Sequence, residues 1–300
     1  MRLISKLLFI FSAFSLLNAQ EKIDFTKLTS PIIFEGDHKF AYRDPAIIYE
    51  NDQFHLFFTL SENAEDGGYY NYVGYSVSRD LLHWSYPKIL TPRDRDLNYS
   101  SPGNIIRHND EWIICFQTYP TPERQEYGTK ASRIWISKSA DLQRWSQPEL
   151  LRVKGPDIAR EDMGRMIDPY LLKDKNEPGK WWCFYKQHGV SMSWSYDLQN
   201  WTYSGRADAG ENVTVILQGD EYVMFHSPQN GIGVRRSGDP QKWGENETLI
   251  TLGQKDWPWA QGRLTAATVI DLTQNPRVGK YILFFHGSRP FENVQNRAHA

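Results

Sequence analysis

Three acids stand where short strand-like runs begin. Asp44 precedes Pro45-Ala46-Ile47-Ile48, Asp168 precedes Pro169-Tyr170-Leu171-Leu172, and Glu211 precedes Asn212-Val213-Thr214-Val215-Ile216. Gathered at one place, three carboxyl groups are equipment for cleaving a sugar bond. Hydrolysis of a glycoside with inversion needs one carboxylate to activate water and one carboxylic acid to protonate the leaving oxygen, about 6.5–9.5 Å apart so that the water fits between them. A third acid close to the proton donor raises its pKa by like-charge repulsion and helps to hold it.

Each acid also has a plain structural reading. Asp-Pro often opens a strand, because Asp caps the preceding turn and Pro needs no N–H there. Asp239-Pro240 shares the dipeptide and serves as an internal control, since it falls at the outer turn of a repeat and should be inert. Glu211 is harder to explain as turn chemistry, because Glu is not a favoured turn residue.

A repeat would bring the acids together. The pattern S-x-D-L-x-x-W occurs at Ser78 to Trp84, Ser139 to Trp145 and Ser195 to Trp201, with a degenerate copy at Ser237 to Trp243. Its aspartates are 61, 56 and 42 residues apart, a spacing that predicts a propeller or solenoid rather than one wound sheet. Each copy follows a β-like run, and a strand–turn–strand pair lies upstream, as in Ala46 to Tyr49 and Phe54 to Thr59. Pair and repeat together make a four-stranded unit, which is a propeller blade. The repeated Asp and Trp residues are expected to be structural, the Asp capping a turn and the Trp covering the unit below.

The fold expected is therefore all-β, a five-bladed β-propeller over residues 20–300. Five inner pairs but four outer repeats are present. The fifth unit is expected either to be completed by the segment Leu28 to Phe34 or to be cut short at Ala300. First strands line the central channel and run the same way, so residues that open them gather at one mouth. Asp44 lies ten residues before Phe54 and Glu211 eleven before Tyr222, which places the acids within about one position of equivalence. The matching places hold Ser101-Pro102 in the second unit and Leu264-Thr265 in the fifth.

The blade pattern, Tyr42-Arg43-Asp44-Pro45, Ile167-Asp168-Pro169 and the Glu-led fourth unit resemble family 43 glycoside hydrolases, over most of the chain from about residue 40. The resemblance implies a five-bladed glycosidase of arabinofuranosidase, xylosidase or galactan-active type, with Asp44 as general base, Asp168 as pKa modulator and Glu211 as general acid. The fourth-blade motif of that family is commonly Glu-Gly-Pro, and this chain has Glu211-Asn212-Val213. It further implies substrate contacts from Arg43, Arg263 and His226. Arg263 is suited to a sugar hydroxyl or to the modulating carboxylate. No cofactor is required. A structural Ca or Na ion on the propeller axis is an expectation, with His286 as its candidate ligand. Two alternatives stand beside this reading. One is a retaining fructan-type propeller glycosidase, whose usual Asn-Asp-Pro-Asn opening Arg43-Asp44-Pro45-Ala46 does not match. The other is a propeller that binds glycans without cleaving them.

Composition agrees with a carbohydrate partner. The net charge of −2 offers no basic surface for nucleic acid. The 11 Trp and 16 Tyr suit sheet packing and, in smaller part, stacking on sugar faces. Residues 1–19 read as a signal peptide, with Arg2 and Lys6, an apolar run from Leu7 to Leu17 and Ala19 at the cleavage site; the run is too short for a membrane span. A periplasmic or secreted protein follows. Cys115 and Cys183 occupy comparable places in two repeats and are expected to be buried small hydrophobes rather than a disulfide. Asn98, Asn200, Asn212 and Asn246 head glycosylation sequons, patterns short enough to arise by chance.

Overall fold

A computed structural model describes residues 22–290 except Glu126. The proposed signal peptide and the last ten residues lie outside the described residues. Strands follow one another in antiparallel order. The first sheet contains β1 (Phe40–Glu50), β2 (Gln53–Asn63), β3 (Tyr69–Ser78) and β4 (Lys88–Ile89). The second contains β5 (Tyr99–His108), β6 (Glu111–Thr118), β7 (Ile134–Ser139) and β8 (Glu149–Leu150). The third contains β9 (Ile167–Lys173), β10 (Trp181–Lys186), β11 (Val190–Ser195) and β12 (Thr202–Ala207). The fourth contains β13 (Glu211–Gln218), β14 (Glu221–Ser227), β15 (Ile232–Ser237) and β16 (Thr248–Ile250). A last sheet has two strands, β17 (Arg263–Leu272) and β18 (Lys280–Ser288). The first strands β1, β5, β9, β13 and β17 neighbour one another in that order, and β17 closes back on β1.

The protein is thus an all-β propeller, with a correction to the expected five blades. Among the described residues four blades are complete, and the fifth place in the ring is taken by an inner pair alone. Nor does the segment Leu28 to Phe34 add a strand to β18. It has the apolar residues for burial but no alternating pattern to present one face of a strand. Instead it lies over the seam between the first blade and the last sheet, with Phe34 stacked on Tyr42 at 5.0 Å and against Phe58 at 5.4 Å. A largely apolar cavity of about 470 Å³ runs beside it, between β18 and the first blade.

The core consists of seams between neighbouring sheets. Phe57, Tyr75, Tyr99, Ile114 and Phe116 join the first two blades; Cys115, Ile134, Met166, Cys183, Tyr185 and Trp201 join the next two. Trp182, Phe184, Val215 and Tyr222 fill the following seam. Both cysteines are free and buried, as expected of small hydrophobes, and burial pushes the Cys115 thiol up to about 12.

The repeated motif caps the turn after each third strand. Asp197 Oδ1 accepts from the N–H groups of Gln199 and Asn200 at 2.9 and 2.7 Å, and Ser195 Oγ accepts from Asp197 N–H. Asp80 and Asp141 repeat the geometry. Asp239 does the same more weakly and lies at this outer turn, so the control Asp-Pro is structural. The caps let Leu81, Leu142 and Leu198 take left-handed backbone while burying their side chains. Asp197→Ala is expected to cost about 1 kcal/mol and lower Tm by a few degrees, with turnover unchanged in a parallel assay.

Candidate active site

Every first strand carries a bulge at the same place. Register slips between Arg43 and Ala46, Ser100 and Asn104, Ile167 and Tyr170, Glu211 and Thr214, and Thr265 and Thr268. In each bulge one non-glycine residue has left-handed backbone: Asp44 (φ 49°), Ser101 (45°), Asp168 (52°), Asn212 (51°) and Ala266 (52°). Such conformations cost energy for non-glycine residues, and Asn and Asp tolerate them best. These five residues are true equivalents around the mouth. Ser101 is the second member, as the spacing predicts, whereas the fifth place, expected at Leu264-Thr265, falls at Ala266. The fourth member is Asn212 and the fifth Ala266, so Glu211 sits one residue upstream, in register with Arg43.

The bulges are clamped by the preceding sheet. Asp44 N–H donates to His286 Nδ1 at 3.1 Å, Ser101 N–H to Thr59 Oγ1 at 2.7 Å, Asp168 N–H to Gln117 Oε1 at 2.7 Å and Ala266 N–H to Ser227 Oγ at 2.7 Å. All four acceptors lie on second strands, opposite the residue that precedes the bulge. The equivalent place in the third blade is Lys186, facing Ile167. An ammonium group has no acceptor to offer. Asn212 N–H turns instead to Asp168 Oδ2 at 3.3 Å.

Asp44 and Asp168 consequently share one small space on the axis, a cavity of about 20 Å³ also bounded by Ser101 and Asn212. Asp44 Oδ2 accepts from Thr59 Oγ1 at 2.8 Å, and Oδ1 accepts from the Asn212 side-chain amide at 3.3 Å. Each oxygen of Asp44 thus has one donor. Asp168 is deeper, 6% exposed, with Oδ1 accepting from Ser101 Oγ at 2.8 Å. Burial, then the negative charges of Glu211 and Asp44, push its carboxyl up to about 7. Glu211 is the most open of the three, its side chain 34% exposed, and its Oε1 accepts from Arg263 Nη2 at 2.9 Å.

The remaining candidate residues are placed less uniformly. Arg43 lies in the field of Tyr69, Asp44, Tyr119 and Asp168, lines the apolar cavity beside β18, and has a buried Nε with no hydrogen-bond partner. Arg263 holds Glu211 and the Pro228 carbonyl, not the modulator Asp168 as one expectation had it. His226 lies in the wall of an adjoining cavity of about 500 Å³, with Lys186, Glu211, Glu247 and Arg263. It is buried, its Nδ1 accepting from Gly210 N–H at 2.9 Å and its Nε2 2.5 Å from Glu247 Oε2. With both nitrogens engaged it supports the wall rather than offering a ring nitrogen to a sugar. Burial lowers its pKa, against the pull of Glu247.

His286 is likewise placed by its bond to the Asp44 backbone, which occupies Nδ1. Among the described residues no three His, Cys, Asp or Glu side chains are grouped to hold a metal ion. The residues reading the sequence missed are Thr59, Gln117, Lys186 and Asn212. Only Asn212 had drawn notice, as a departure from a motif and as a sequon. Its amide points to Asp44 in the mouth, and the sequon asparagine Asn98 is 1% exposed.

A ring of inner strands with acids at its mouth defines a propeller glycosidase, and comparison with known proteins agrees. The profile of the glycosyl hydrolases family 32 N-terminal domain matches residues 34–225, and the chain belongs to that family. The family is thus 32 rather than the family 43 whose motifs the chain resembles; both make it a propeller glycoside hydrolase. A levanase from Bacillus sp. (strain L7) is 23% identical over 186 residues, 57% of this chain and 19% of the levanase. The chain thus spans about a fifth of that relative's length. Among solved structures, an exo-1,5-α-L-arabinanase from a bovine ruminal metagenomic library superposes with a TM-score of 0.58 at 18% identity, over 85% of this chain and 90% of the other. The catalytic domain of the Coprinopsis cinerea family 62 α-L-arabinofuranosidase gives 0.61 at 13% identity, over 88% and 90%. At these identities the likeness is one of fold. No helix among the described residues is long and apolar enough to cross a membrane.

Proposed function

We propose that the protein is an exported glycosidase that removes terminal arabinofuranosyl, xylosyl or galactosyl units from plant-type poly- or oligosaccharides with inversion. Asp44 activates the attacking water, Glu211 protonates the leaving oxygen, and Asp168 tunes the two. The observation that carries this reading is the convergence of Asp44, Asp168 and Glu211 on one mouth beside a cavity of about 500 Å³, a size usual for small-ligand sites. The hydrogen bonds to both oxygens of Asp44 suit a group that must act as an anion. The openness of Glu211 suits one that must meet a departing oxygen. Arg43 and Arg263 supply donors for sugar hydroxyls.

A second reading is favoured by the family 32 match and by the levanase. In it Asp44 attacks the anomeric carbon directly, Glu211 acts first as acid and then as base, and the terminal unit is a fructosyl group. The test is a screen on arabinofuranosides, xylosides, galactosides and fructans, followed by NMR of the first-formed anomer on whichever is cleaved. Inversion is expected. Retention establishes the second reading, and binding without release on any substrate removes both.

A further inference from the structure

The clamp that fails at Lys186 has a consequence for the acids. Around the ring, an acceptor from the previous blade holds each left-handed residue. At the third-to-fourth junction the holding group is the carboxyl of Asp168 itself, and the residue held is an asparagine whose side chain then reaches across the axis to Asp44. Asn212 is thereby bonded to both axial acids, through its backbone to one and through its amide to the other. Neither Ser101 nor Ala266, its counterparts, does this: Ser101 reaches Asp168 only, and Ala266 has no polar side chain.

We infer that Asn212 is a positioning residue for the glycosidase reaction, bridging Asp44 and Asp168 and holding Oδ1 of Asp44 as an acceptor. The inference rests on the role given to Asp44 above, and it is the same whether Asp44 activates water or attacks carbon, because both need the anion. The other charged and titratable groups near Asp44 are Arg43 on its own strand, Asp168 on β9, and His286 on β18, whose Nδ1 is 3.8 Å from Oδ1. Glu211 on β13 faces Asp168, and Tyr69 on β3 and Tyr119 after β6 face Arg43. An amide in their midst contributes a donor without another charge. A carboxyl at position 212 would put a third acid between the first two.

Two variants separate these terms while keeping the left-handed backbone. Asn212→Gly removes the amide at a φ that glycine accepts freely, and Asn212→Asp keeps the shape but replaces the donor by an acid. Asp44 is titrated directly through its carboxyl carbon in protein labelled with 13C-aspartate, its resonance assigned by its loss in Asp44→Asn. The Asp44 midpoint is expected to rise by about half a unit to one unit in Asn212→Gly and by more than about one unit in Asn212→Asp. The acid limb of kcat/KM should move by the same amounts, with kcat/KM down about tenfold or more in the glycine variant. Unmoved midpoints overturn the bridge. Moved midpoints with an unmoved acid limb leave the bridge standing and overturn the role given to Asp44.

Discussion

Asp44→Asn is expected to lower kcat by about 10³-fold or more on any substrate the protein cleaves, the scale of losing a general base or nucleophile. Asparagine is the right replacement because the residue has a φ of 49°, which Asn tolerates and Ala does so only with strain. The amide keeps an oxygen to accept from Thr59 Oγ1, so the network that continues to Ser101 N–H survives. The anion is removed, and with it the bond from the Asn212 amide, because the new NH₂ group cannot accept. Tm should stay within about 3 °C of the parent, since one hydrogen bond of modest worth is perturbed. Steady-state rates on an aryl glycoside and a thermal melt measure both. Retention of a tenth of the parent rate would show that Asp44 is not the group acting at the anomeric carbon.

Asp168→Asn should do something different: lose activity and gain stability. The folded protein holds the Asp168 proton to about pH 7, whereas a carboxyl in the unfolded chain releases it near its ordinary value of 3.8. Between those limits the folded state binds more protons than the unfolded one, so folding stability falls as pH rises from about 4 to 7. The asparagine variant escapes that loss. The expected gain is on the order of 2 kcal/mol, set by burial and by the charges of Glu211 and Asp44. A Tm higher by about 5 °C at pH 8, with no gain at pH 4, is the expected pattern. The amide fits: its oxygen accepts from Asn212 N–H, and Ser101 Oγ can rotate to accept from its NH₂. Turnover should fall by about 10²-fold as the axial carboxyl is lost. An unchanged or lower Tm at pH 8 would contradict the account of Asp168 as an acid held at a cost in stability.

Much of this architecture is legible in the sequence. The Ser-x-Asp-Leu turns and the paired strands before them announce blades, and the count of five inner pairs with four outer repeats is what the sheets show. Asp44 and Asp168 fall at matching bulges. Glu211 was legible only to within one residue: ten positions separate Asp44 from Phe54 and eleven separate Glu211 from Tyr222, and that extra residue is the offset between Glu211 and its neighbour Asn212. A bulge sets two residues against one, so the slip of a single position changes which side chain reaches the axis. Thr59, Gln117 and Ser227 were silent for another reason. Each is an ordinary strand residue whose task lies on the next sheet, and nothing in its own sequence neighbourhood reports it. The pairing of Arg263 with Glu211 rather than Asp168 follows from the same offset, since position 211 lies one residue before the bulge, where Arg263 of the fifth place in the ring reaches it.

The clamps around the mouth also bear on where harmful substitutions should be sought. Thr59 belongs to the first blade, holds the backbone of Ser101 in the second, and through it the Ser101 hydroxyl that meets Asp168 of the third. Gln117 and His286 pass the constraint onward in the same direction. A closed circuit of this kind has no peripheral member. The sensitivity of the chemistry to mutation is therefore distributed by the ring rather than by distance from the sugar, and the vulnerable residue for Asp44 and for Asp168 lies one blade back.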